Sequence, residues 1–176
     1  MKEQISVLIS EERILKSVTA LGETISRKYA GESGHLICIL KGSAPFTCEL
    51  AKHITVPVTM DFMSVSSYGS GTESSGQIRI KKDLDDPIKG KHILIVEDII
   101  DSGRTLYSLS QMLKVREPAS MEICTLLDKP ERRVVDMEAD YSCFTIPDEF
   151  VVGFGLDYDQ KYRNLPFIGV LRFIED

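Results

Sequence analysis

Apolar positions along this chain follow two rhythms, and their alternation outlines the fold before any chemistry is considered. Ile5 to Ile9 (ISVLI) is short and β-branched, which predicts a strand. Ser10, with Glu11 and Glu12 behind it, predicts a helix start: a serine oxygen can accept an orphan amide, and acids suit the positive end of a helix. Ile14, Leu15, Val18, Leu21, Ile25 and Tyr29 then recur at helical spacing until Gly31 and Gly34 end the element. His35 to Leu40 (HLICIL), His92 to Val96 (HILIV) and Met121 to Leu127 (MEICTLL) are short apolar runs that predict buried strands. A helical pattern follows the first of these, with Ser43 as its cap, Pro45 in its first turn and Phe46 and Leu50 packing inward. Another follows the second, from Arg104 to about Val115, with Leu106, Leu109 and Leu113 on its apolar face.

Val56 to Ser67 is rich in strand formers, and Ile78 and Ile80 alternate with polar neighbours as in a half-exposed strand. Between them six of the nine residues Gly69 to Gln77 are Gly or Ser, too little apolar surface to hold itself still, so a mobile loop between two strands is predicted. The last third is short-stranded: Tyr141 to Ile146 before Pro147, then Phe150 to Gly153, and a final strand at Phe167 to Ile174. Strands alternating with helices predict an α/β fold, a central, mostly parallel sheet flanked by helices on both sides. Residues 1–176 read as one domain, with a small hood formed mainly by about 141–176 together with the N-terminal segment.

The formal charge of −6 argues against a nucleic-acid partner and against attachment to an anionic membrane. No secretory signal stands behind MKEQ, and no run approaches the roughly 18 apolar residues of a membrane span. Cysteines 38, 48, 124 and 143 form no CxxC pair; Cys38 and Cys124 sit in strand-like runs and read as reduced core residues of a cytoplasmic protein.

The candidate chemistry gathers at HILIVEDIIDSGRTL, His92 to Leu106. A buried strand runs into Glu97, Asp98 and Asp101, then into Ser102-Gly103-Arg104-Thr105 and a helix. Open α/β sheets bind ligands at this end of a strand, and a helix N-terminus there favours phosphate. Asp101 or Ser102 as a mere helix cap is the plainer reading, yet it leaves two adjacent acids repelling each other without a partner. Lys41-Gly42, at the end of another strand, combines a cation with a permissive backbone and could hold a phosphate. Lys129 ends a core strand and by position alone would be a solvated turn residue, as Phe150 would be core and Asp157 a turn.

EDIIDSGRT resembles the phosphoribosyl-diphosphate (PRPP) signature of the type I phosphoribosyltransferases, more narrowly its purine, hypoxanthine-guanine branch. LKGS (residues 40–43) is similar to that family's diphosphate-binding loop, and DEFVVGFGLDYDQKYR (residues 148–163) to its purine-binding hood; the likeness runs over roughly 35–170. The resemblance implies that fold, and transfer of a 5-phosphoribosyl group from PRPP to N9 of hypoxanthine or guanine. It implies Mg2+ as the cofactor, with Asp157 as a ligand and Glu97 and Asp98 as further candidates. It further implies that Glu97, Asp98, Asp101, Ser102, Gly103, Arg104 and Thr105 bind ribose and its 5-phosphate, Asp101 being also the catalytic base. Lys41, Gly42 and Arg163 would bind diphosphate, and Ser67 and Tyr68 would open an active-site lid. Lys129, Phe150, Val151 and Asp157 would bind the purine. A cis peptide between Leu40 and Lys41, and a homodimer or homotetramer, follow from the same likeness. Relatives often carry a small side chain where this chain has Gly155. Two other readings stand beside this one: a phosphoribosyl-binding regulator of the same fold, and a xanthine-preferring transferase.

Overall fold

A computed structural model describes residues 2–67 and 78–174. Its elements are β1 (Lys2–Ile9), α1 (Glu11–Lys28), β2 (Gly34–Ile39), α2 (Ala44–Lys52), β3 (Val58–Ser67), β4 (Ile78–Lys82), β5 (His92–Ile100), α3 (Arg104–Lys114), β6 (Ser120–Asp128), β7 (Tyr141–Thr145), β8 (Val151–Val152) and β9 (Ile168–Ile174), with a 3-10 turn at Pro130–Arg132. Six strands form one sheet in the order β4-β3-β2-β5-β6-β7, and β1, β9 and β8 form a second. In the large sheet β2, β3, β5, β6 and β7 are parallel, and β4 is antiparallel to β3. Tyr141–Thr145, grouped with the hood on sequence grounds, instead pairs in parallel with β6 as the edge of the large sheet. The small antiparallel sheet joins the two ends of the chain, Lys2 facing Ile174 and Val7 facing Gly169.

Side-chain alternation along β5 explains the layers. Leu94 and Val96 pack with Ile14, Val18 and Ile25 of α1 and Phe46 and Leu50 of α2. Ile93 and Ile95 point the other way, onto Leu106, Leu109 and Leu113 of α3. Both faces of the strand are thus covered, as a continuous apolar run requires. The helix after β2 lies on one face of the sheet and the helix after β5 on the other, although β2 and β5 are hydrogen-bonded neighbours. Their carboxyl ends therefore part at a crevice, the place where open α/β sheets take ligands.

Two local expectations change. Ser10 caps α1 as predicted, its Oγ accepting from Arg13 N at 3.3 Å. Ser43 occupies the corresponding place before α2 but does not cap it: the residue is fully buried and its hydroxyl donates to the Ile39 carbonyl at 2.6 Å. Strand β5 also runs further than Val96, because Glu97, Ile99 and Ile100 still pair with Thr125, Leu127 and Asp128 of β6. The acidic pair consequently belongs to the strand itself.

Candidate active site

At the tip of β5 the side chains of Glu97 and Asp98 are held by the backbone beside them. Glu97 Oε1 accepts from Asp98 N at 3.2 Å, and Asp98 Oδ1 from Ile99 N at 2.7 Å. Burial, and then the Asp98 charge, pushes the Glu97 carboxyl well above the usual carboxylate range. Asp98 is also raised, chiefly by burial, although hydrogen bonds and the nearby Arg163 charge pull it back.

Beyond them a recess of about 120 Å3 is lined by Glu97, Ile99, Ile100, Asp101, Ser102, Gly103, Thr105 and Leu106. Gly103, at φ +80°, is the N-cap of α3 and has no side chain with which to cap it. The first amides of a helix have no partner within it, and their dipoles favour an anion. Ser102 Oγ accepts from Arg104 N at 3.4 Å, while Thr105 Oγ1 lies 3.2 Å from Ser67 Oγ at the end of β3. Ser67 thus touches a residue that lines this recess. Tyr68 and the Gly/Ser-rich stretch to Gln77 lie outside the described residues.

The loop after β2 closes on the same place. The Leu40-Lys41 peptide is cis, as anticipated. Gly42 is buried, and a Cβ added to it would fall inside the Asp98 carboxylate. A Cβ on Gly155 would in turn land on the Gly42 carbonyl oxygen and within 3.0 Å of Pro45 Cδ, and Gly155 has φ +102°. The glycine that stood out in the sequence is therefore required by close approach. From the hood, Arg163 donates to Gly155 O at 2.7 Å and pairs with Asp157 at 2.9 Å. Gln160, absent from the sequence-based candidates, joins them: its side-chain oxygen accepts from Lys41 Nζ at 3.2 Å and Arg163 Nη2 at 3.4 Å, and its main-chain N–H donates to Asp157 at 2.8 Å. Sequence pattern offered no signal for Gln160 beyond its place in a polar turn.

On the other side of the recess Lys129 is 7% exposed, and its main-chain N–H donates to Ile100 O at 2.9 Å. That bond sets it beside Asp101. Its ammonium group donates to Glu149 O at 2.6 Å and lies 3.7 Å from Asp148 Oδ1. This is no solvated turn residue. Phe150, at 53% exposed, is not core either; its ring meets Tyr158 edge-on at 5.9 Å, and Tyr158 meets Phe173 at 5.3 Å. Val151 has its side chain buried in the core beside Val170, which leaves its main chain for a ligand. Asp157, the first metal candidate, pairs with Arg163 at 2.9 Å and accepts from the Gln160 main-chain N–H at 2.8 Å, and Glu97 and Asp98 are the further candidates. Arg132, also missed, places Nε 2.6 Å from Asp101 Oδ1.

Among the described residues no cluster of three or more metal-type side chains occurs. Two carboxylates nevertheless fit magnesium, which commonly takes one or two from protein and the rest from substrate oxygens and water. Comparison with known proteins gives the family. The phosphoribosyl transferase domain matches residues 7–159. Hypoxanthine-guanine phosphoribosyltransferases of Streptococcus pneumoniae and Streptococcus thermophilus are 59% and 55% identical to the chain over 94% of its length and 92% of theirs. A crystal structure of a hypoxanthine phosphoribosyltransferase from Staphylococcus aureus superposes with a TM-score of 0.93 at 50% identity, covering 95% of this chain and 91% of that one. One of a hypoxanthine-guanine phosphoribosyltransferase from Bacillus anthracis gives 0.92 at 49%, covering 95% and 99%.

Proposed function

Because the chain belongs to the phosphoribosyl transferase domain family, we propose that it is a purine-salvage enzyme. It transfers the 5-phosphoribosyl group of PRPP to N9 of hypoxanthine or guanine, giving IMP or GMP and diphosphate. The observation that carries this reading is identity of 55–59% to hypoxanthine-guanine phosphoribosyltransferases across 94% of the chain. In the reaction the C1–oxygen bond to diphosphate breaks, C1 becomes electron-poor, and the purine N9 forms the new bond as a ring proton leaves.

Each step has residues suited to it. The amides and hydroxyls of Ser102 to Thr105 cradle the 5-phosphate, with Arg104 as the basic residue there. Glu97 and Asp98 accept hydrogen bonds from the ribose hydroxyls and lend negative potential to the developing cation. The raised Glu97 and Asp98 suit this role, since a cation or hydroxyl donor relieves them. Asp157, with Glu97 and Asp98 as further candidates, would hold magnesium, whose charge would serve to neutralise the departing diphosphate. Lys41, the Gly42 main chain and Arg163 flank that leaving group, and Gln160 ties the two cations together.

Asp101 takes the ring proton at N7, help worth ~10²- to 10⁴-fold in rate. Lys129, a pure donor, faces the 6-oxo group, and Phe150 stacks on the base with Tyr158 behind it. Adenine, which offers an amino group at that position, is disfavoured. Among the described residues no helix is long and apolar enough to cross a membrane. With four free cysteines and a charge of −6, the proposal includes work in the cytoplasm, without nucleic acid, as a homodimer or homotetramer. Mixing the protein with PRPP, magnesium and hypoxanthine, guanine, xanthine or adenine in turn, and measuring diphosphate release, tests it. Release with the two 6-oxopurines named, and little with adenine, is expected; release with none overturns the activity.

A further inference from the structure

The 3-10 turn after Lys129 places a cation against Asp101 for which the reaction scheme above has no role. Arg132 Nε lies 2.6 Å from Asp101 Oδ1. The opposite edge of the same guanidinium reaches Asp148, Nη1 standing 3.3 Å from both carboxylate oxygens. Asp148 in turn stands 3.7 Å from the Lys129 ammonium, and two residues later the chain presents Phe150. One planar group thus joins the strand-end loop that carries Asp101 to the hood segment that carries the stacking ring.

Stability is a poor account of this bridge. The two side chains are 49% and 45% exposed, and half-exposed ion pairs contribute little. Asp101 Oδ1 itself, however, is shut off from solvent and makes no well-aligned hydrogen bond among the described residues, so Arg132 is its charge partner. A carboxylate has two oxygens. With Oδ1 turned to Arg132, the other is left for a purine ring nitrogen.

We infer that Arg132 is a positioning residue, anchored by Asp148, that orients the Asp101 carboxylate toward the base. The inference rests on the proposed role of Asp101 as proton acceptor. Guanidinium suits the task because its donors lie in one plane and can engage two carboxylates at a set angle, which an ammonium group cannot do. Placement errors of an ångström at a proton-transfer group cost up to ~10²-fold in rate.

Steady-state kinetics of Arg132→Gln, Arg132→Lys, Asp148→Asn, Asp101→Asn and the Arg132→Gln/Asp101→Asn double variant test it. Arg132→Gln should lower kcat by ~10-fold while the KM for PRPP stays within about twofold, the split expected when a transition-state contact is lost. Lysine at 132 should recover part of that loss by restoring the charge, and Asp148→Asn should lower kcat by roughly threefold by freeing the guanidinium. In the Asp101→Asn background Arg132→Gln should cost less than about twofold, because the group it orients is gone. A kcat within about twofold of the parent for Arg132→Gln overturns the inference, and so does a full loss in both backgrounds. Should Asp101→Asn alone turn over normally, the proton-acceptor assignment falls first and the inference with it.

Discussion

The two flanks of the recess are built in different ways. On the flank proposed for PRPP, Glu97 to Thr105 follow one another along a single strand, turn and helix start, contiguous in sequence even though β6 holds the strand end extended. On the base flank, Asp101 meets Arg132, Lys129 meets Glu149 and Phe150 leans on Tyr158, all pairings across the chain. A local cradle can be read from a string and tolerates little rearrangement. A pocket assembled from distant loops is free to vary with each loop, which suits the part that distinguishes one base from another.

Asp101 lies on the seam and gives the sharpest test of whether the flanks separate. Asp101→Asn should slow turnover by ~10²-fold or more with PRPP affinity nearly unchanged, since a base is removed and the phosphate contacts remain. Single-turnover rates beside PRPP titrations would show this, and a parallel fall in both would mean that the two flanks act as one. Lys129→Gln is the next largest effect expected. An amide offers donor and acceptor where the ammonium group offers only donors, so kcat/KM with hypoxanthine should fall. The gap to adenine should narrow by roughly tenfold, within the range a buried unpaired group commands. An unchanged ratio would remove Lys129 from base recognition.

Gly155→Ala probes a place where the hood closely approaches the backbone of the loop after β2. Its methyl group would fall on the Gly42 carbonyl at a φ of +102°, so a loss of about 1–3 kcal/mol in unfolding free energy is expected. Because Gly42 bears on Asp98, PRPP affinity should weaken as well, a hood substitution felt on the opposite flank. Calorimetry with a PRPP titration measures both, and unaltered PRPP binding would show the flanks to be mechanically independent.

The smallest effect has the opposite sign. A carboxyl raised by folding, as Glu97 is, contributes stability that is present below its unfolded value and lost as pH rises through the raised one. Glu97→Gln should therefore make the ligand-free protein more stable at pH 8, by roughly 2–4 °C in Tm for a gain of about 1 kcal/mol. That advantage should shrink towards pH 4, while PRPP binding worsens. A melting point that falls at pH 8 would mean that Glu97 is not under strain in the empty site.

Sequence by itself determined the strand–helix alternation, the burial of β5 on both faces and the acidic tip with its phosphate-ready turn. All of these are encoded in periods and neighbours of a few residues. Even there the reach was short: Val96 looked like the end of the strand, because only pairing with β6 keeps Glu97 to Ile100 extended. The hood was harder still. Tyr141–Thr145 carries the pattern of any short strand, and its edge place in the large sheet is chosen by β6. Val151 turned inward because neighbours distant in sequence decide which way a side chain faces. Arg132, Gln160 and the stacked contact of Gly155, Gly42 and Asp98 were tertiary decisions outright. A contact across more than a hundred residues, such as Lys41 with Gln160, leaves no period in the chain; it exists only once the sheet has brought both loops to the same crevice.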